Sequence, residues 1–71
     1  MSRTDAELDA IARALALGLR RPTNKTRAIF DFTLRGFDYD SAIAAMSYGL
    51  RAGILRERGG GLVESTPPAG R

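Results

Sequence analysis

Two rhythms of apolar positions run along this chain. Leu8, Ile11, Ala12, Leu15 and Leu19 recur at three- and four-residue steps, which predicts a first helix over residues 4–18 with one buried face. Thr4 and Glu7 have the spacing of a capping box, in which each side chain satisfies the other's otherwise orphaned amide. Gly18 is a natural stop. Ala10, Ala14 and Leu17 make a weaker strip on the opposite side, either alanine-rich surface or a contact with a second copy.

Pro22 bars helix continuation, so residues 19–23 form a short strand or a plain connector. A second helix is predicted over residues 24–36, with Thr23 or Asn24 as its cap and Gly36 as its stop. Ile29, Phe30, Phe32, Thr33 and Leu34 sweep more than half of its wheel, which predicts packing on two sides. Its polar stripe is Arg27, Asp31 and Arg35, spaced for i,i+4 ion pairs.

A third helix starts at Asp38 or Asp40 and runs to Gly53. Tyr39, Ile43, Met46 and Leu50 share its expected inward face; Ser41, Ala44, Ala45 and Tyr48 share the outward one, with Arg51 at the margin. Gly49 costs about 1 kcal/mol relative to alanine inside a helix, and leaves room for another backbone to approach.

The rhythm then changes. Ile54-Leu55 and Leu62-Val63 flank Arg56, Arg58 and three consecutive glycines, which predicts a β-hairpin with a basic tip. Arg56 and Arg58 alternate in phase, so both project from one face. They either grip phosphate or protect a solvated edge strand by charge. Residues 1–65 read as one domain and residues 66–71 as a disordered tail.

Composition narrows the chemistry. With no cysteine and no histidine, disulfides, thiolate or imidazole metal sites and histidine-based catalysis are excluded. Asp38 and Asp40 read as caps rather than paired catalytic carboxylates, and the glycine run lacks the Lys-Ser/Thr ending of a phosphate-binding loop. No enzyme, cofactor, metal or small-molecule ligand is expected. No apolar run approaches the roughly 20 residues of a membrane span, and no signal-peptide pattern opens the chain, so a cytoplasmic protein is expected. Net charge is +3 and concentrated: residues 19–36 carry Arg20, Arg21, Lys25, Arg27 and Arg35 against Asp31 alone. A compact basic segment suits phosphate backbone. Lys25 and Arg27 stand in the first turn of helix two, where the dipole disfavours cations, and Lys25 has no partner four residues on.

The order helix, short extended piece, helix, tight turn, helix, hairpin resembles the winged helix-turn-helix superfamily of DNA-binding proteins. The resemblance covers about residues 5–65. It is carried by Gly36 and Phe37, the Ile43/Met46/Leu50 series, and Gly53-Ile54-Leu55 leading into the hairpin. The fold class this implies is mainly α with a small β-hairpin, as a three-helix winged helix-turn-helix. The function it implies is duplex DNA binding in transcription regulation of a bacterial, plasmid or phage system, by a homodimer. Lys25, Arg27, Arg51, Arg56 and Arg58 would meet the DNA backbone, with Arg20 and Arg21 as outer candidates; Ser41, Ala44, Ala45 and Tyr48 would face the groove. Helix three departs from that pattern. It has no Arg, Lys, Asn or Gln before Arg51, and Asp38 and Asp40 at its start repel phosphate. A protein-interaction adaptor on the same fold, or an excisionase-like factor that bends DNA, are the alternatives.

Overall fold

The computed structural model describes residues 3–66. In chain order it has helix α1 (Asp5–Gly18), strand β1 (Thr23–Asn24), helix α2 (Lys25–Thr33), helix α3 (Tyr39–Ala52), strand β2 (Leu55–Arg58) and strand β3 (Leu62–Ser65). The protein is therefore mainly helical, with a small three-stranded antiparallel sheet in the order β1-β3-β2. The short strand β1 makes the sheet more than a hairpin: Thr23 pairs with Val63 and Asn24 with Leu62.

The helix ends follow from their caps. Thr4 and Glu7 form the reciprocal capping box of α1. Asn24 accepts from the amides of Thr26 (2.9 Å) and Arg27 (3.4 Å) at the start of α2. Asp38 accepts from the Ser41 amide at 3.0 Å to start α3. At the other end of α3, Gly53 adopts φ +83°, the left-handed conformation that ends a helix without a Cβ penalty. α2 stops at Thr33, three residues before the expected Gly36; Leu34, Arg35 and Gly36 form a tight turn, with the Gly36 amide donating to the Thr33 carbonyl at 3.0 Å.

The core gathers Ile11, Ala12 and Leu15 of α1, Ala28 and Phe32 of α2, Ala42, Ala45 and Met46 of α3, and Leu55 and Val63 of the sheet. Phe37 stacks on Phe32 with ring centroids 4.4 Å apart. The expected orientation of α3 is corrected here. Of the residues expected inside, Met46 is buried, whereas Tyr39 and Ile43 are exposed. Ser41, Ala42, Ala45 and Gly49 line the inner face instead. The cause is close packing: a Cβ at Gly49 would lie 2.8 Å from Leu55 Cδ1 and 3.3 Å from the Ala12 Cβ. The helix turns its smallest residues inward so that α1 and β2 can approach it. The expected two-sided packing of α2 is also corrected. Phe30 is 57% exposed and Leu34 71%, because only the face bearing Ala28 and Phe32 meets the rest of the chain.

The tail expected over residues 66–71 lies outside the described residues apart from Thr66. The Thr66 amide donates to the Ile54 carbonyl at 3.1 Å, extending the pairing of β2 and β3 by one step.

Candidate nucleic-acid interface

The hairpin is built around its glycines. Gly60 and Gly61 take φ values of +78° and +77°, which residues with a side chain rarely adopt. The three-residue turn places Arg56 opposite Glu64, Glu57 opposite Val63 and Arg58 opposite Leu62. Alternation then sorts the side chains. Leu55 and Val63 enter the core, while Arg56, Arg58 and Glu64 share the outer face.

One carboxylate organises that face. Glu64 Oε2 accepts from Arg56 Nε at 3.1 Å, Arg56 Nη2 at 2.5 Å and Arg58 Nη1 at 3.3 Å. The Glu64 side chain is only 16% exposed, whereas both arginines reach well into solvent. Its carboxyl is held below the ordinary range chiefly by the hydrogen bond from Arg56, against some desolvation and with help from the Arg58 charge. The pair of arginines is thus set side by side and half-neutralised. Of their ten N–H donors, three point at Glu64.

At the start of α2, Lys25 Nζ forms an ion pair with Glu57 Oε2 of β2, a partner far from it in sequence. This contact ties the first residue of α2 to the hairpin. Arg27 Nε donates to Asp31 Oδ1 at 3.2 Å, the i,i+4 pair that the spacing predicts. Arg51 is exposed at the end of α3, and Arg20 and Arg21 in the α1–β1 connection. None of these three forms an ion pair among the described residues.

The residues expected to face a groove divide. Ala45 is fully buried, and Ser41 is buried with its hydroxyl donating to Asp38 Oδ1 (2.7 Å) and accepting from Arg3 Nε (2.6 Å). Both belong to the inner face of α3, which corrects their expected outward placement. Ala44 is partly exposed and lines a recess of about 530 Å³ with Arg3, Glu7 and Asp40. Tyr48 leans on α1, where its hydroxyl donates to Asp9 Oδ2 at 3.1 Å, and it packs against the core. Asp9 is held below the ordinary carboxylate range, first by the hydrogen bond from Arg13 and also by that from Tyr48. Tyr48 is pushed up, first by Asp9.

The exposed face of α3 carries Tyr39, Asp40, Ile43, Ser47 and Arg51. Phe30 on α2, Leu34 in the turn after it, and Tyr39 and Ile43 on α3 are exposed apolar side chains set among the charges of Arg27, Asp31, Asp40 and Arg51. Among the described residues no cluster of three or more carboxylates could hold a metal ion, and no helix is long and apolar enough to cross a membrane. Neither a family model, nor a curated protein, nor a solved structure matches this chain.

Proposed function

We propose that this chain is a winged helix-turn-helix module that binds duplex DNA, chiefly through its backbone, in transcription regulation. The observation that carries the reading is the layout. A glycine-tipped hairpin follows directly on a three-helix unit, its strand β3 pairs with the short strand before α2, and Lys25 joins α2 to the same hairpin. The resemblance to winged helix-turn-helix proteins implies that α2, α3 and the hairpin together would meet the duplex.

The chemistry favours grip over readout. Arg56 and Arg58 are pre-oriented by Glu64 and retain most of their donors, whereas the exposed face of α3 offers one cation, at its far end. Phosphate contacts position a protein without reading sequence. Binding of a random duplex, followed by fluorescence anisotropy, should be measurable at about 50 mM salt and fall steeply as salt rises. Arg56→Ala with Arg58→Ala should weaken it on every sequence. No binding at the lowest salt would overturn the proposal.

A second reading has its own observation. Phe30, Leu34, Tyr39 and Ile43 are all exposed on α2, α3 and the turn between them, apolar side chains better suited to a protein partner than to a phosphate backbone. Loss of duplex binding from Arg56 and Arg58 substitution, with none from Phe30→Ser, separates the two. A homodimer is part of the proposal through the outer strip of α1, where Leu17 is 84% exposed at the last turn. Leu17→Glu should then turn a dimer into a monomer in sedimentation.

A further inference from the structure

The geometry points to a phosphate-binding recess at the corner where α1 turns into β1 and α2, formed by Arg20, Arg21 and Arg27 with Arg35 beside it. Arg20, Arg21 and Arg27 line one open recess of about 360 Å³, floored by Gly18, Pro22 and Thr23. An adjoining recess shares Gly18, Thr23 and Asp31 with it and brings in Arg35. A Cβ at Gly18 would lie 2.6 Å from Arg35 Nη2 and 3.0 Å from Nη1, so that guanidinium lies against the bare backbone at the end of α1.

Local structure accounts for part of this charge. Asp31 is the one carboxylate lining either recess, and it is bonded to Arg27. The carbonyl end of α1 carries roughly half a negative charge, and its last turn holds no basic residue of its own. Arg35 across Gly18 answers that end of the helix. Arg20 and Arg21 are left over, adjacent, exposed and without a carboxylate partner among the described residues. Pro22 holds the chain extended after them, and the Thr23 hydroxyl bonds back to the Arg21 carbonyl at 2.9 Å, which fixes the turn that presents them. Guanidiniums gathered around a concave surface with an excess over the nearby carboxylates repel one another unless an anion joins them. The planar forks of arginine match the oxygens of a phosphate.

The ligand chemistry is a phosphate group, borne either by a nucleic-acid backbone or by a free phosphorylated solute. Only the first source rests on the proposed function; none of the four arginines lies in the hairpin. Amide and arginine side-chain resonances of the full chain, titrated with sodium pyrophosphate at constant ionic strength, should shift at Gly18–Thr23, Arg27 and Arg35 and stay still across β2 and β3. Arg20→Gln with Arg21→Gln changes only exposed side chains. It should weaken pyrophosphate binding at least roughly tenfold, the scale of one lost charge-assisted hydrogen bond. A random duplex titrated in parallel identifies the source. A duplex that shifts the same resonances, with a similar loss in the double variant, assigns the recess to backbone phosphate. Pyrophosphate binding without duplex binding assigns it to a free phosphorylated solute and removes the proposed function instead. Pyrophosphate shifts that are absent, spread equally over Arg51, Arg56 and Arg58, or unaltered by the double variant overturn the recess, whatever the duplex does.

Discussion

The hairpin and the α1–β1 corner are both arginine-rich, yet they hold their charge in opposite ways. On the hairpin every cation has a carboxylate within reach: Arg56 and Arg58 share Glu64, and Glu57 takes Lys25 from α2. At the corner, Asp31 serves Arg27 while Arg20 and Arg21 face solvent without a counter-charge among the described residues. A count of arginines already ranks the corner first, and the pairing of Arg56 and Arg58 with Glu64 widens the difference. Paired cations set the shape of a surface, and unpaired ones set its field.

Salt dependence breaks the comparison most directly. Each phosphate neutralised by a protein cation contributes about 0.9 to the slope of log affinity against log salt. If duplex DNA meets both regions, Arg20→Gln with Arg21→Gln should flatten that slope by about 2. Arg56→Gln with Arg58→Gln removes two cations of which Glu64 already neutralises one, so the slope should flatten by about 1. Equal losses from the two double variants would mean that Glu64 releases its arginines on binding, and the distinction between the regions would disappear.

Glu64→Gln sharpens the same point from the other side. The substitution keeps a hydrogen-bond acceptor under Arg56 and removes the charge, so the hairpin should behave as two free cations. Duplex affinity at low salt should rise several-fold and the slope should steepen by about 1, while pyrophosphate binding at the corner stays unchanged. A fall in affinity would show that the carboxylate matters more for aiming the arginines than for cancelling them.

How much of this was legible in the sequence varies by element. Thr4 with Glu7, Asp38 and Gly53 act at the helix ends as their chemistry predicts, because capping depends on near neighbours. The Arg56–Glu64 contact was also within reach. A three-glycine turn centred on Gly60 pairs residues symmetrically about it and sets Arg56 opposite Glu64; considering the arginine spacing alone missed it. The facing of α3 was not legible. Periodicity weights large side chains, and here Ser41, Ala42, Ala45 and Gly49 decide the orientation by being small enough for α1 and β2 to approach. Nor could sequence spacing join Lys25 to Glu57, or Arg35 to Gly18, since each meeting depends on how separate elements pack.

Acid titration tests whether the hairpin network exists in the folded chain. The Glu64 carboxyl lies below its ordinary range because Arg56 and Arg58 favour the charged form. Its contribution to stability is therefore fully present above the carboxylate pKa of the unfolded chain, and is lost as pH falls through the depressed folded value. Thermal unfolding followed between about pH 5 and pH 3 should show a smaller drop for Glu64→Gln than for the unaltered chain. Asp9 and Asp38 are depressed in the same sense, by Arg13 and by Ser41 first, and retain their part of the pH dependence in that variant. Superimposable curves would mean that the Glu64 pairing does not persist in solution.

The smallest effect belongs to Lys25 and Glu57, and its smallness is informative. Both side chains are well exposed, so the pair should stabilise the fold by less than about 1 kcal/mol, with most of that screened at high salt. Its consequence for binding is positional. Lys25→Met removes a cation at the start of α2 and leaves Glu57 unopposed on the hairpin face opposite Arg56 and Arg58, which lowers the positive field that attracts a duplex. Urea unfolding should then move little while low-salt duplex affinity falls. Glu57→Gln, which frees Lys25 instead, should leave stability equally unmoved and raise affinity. If the two variants shift affinity in the same direction, the contact acts by holding α2 against the hairpin, and charge is secondary. If they shift it in opposite directions, the hairpin's carboxylates tune a field whose strongest source lies at the corner.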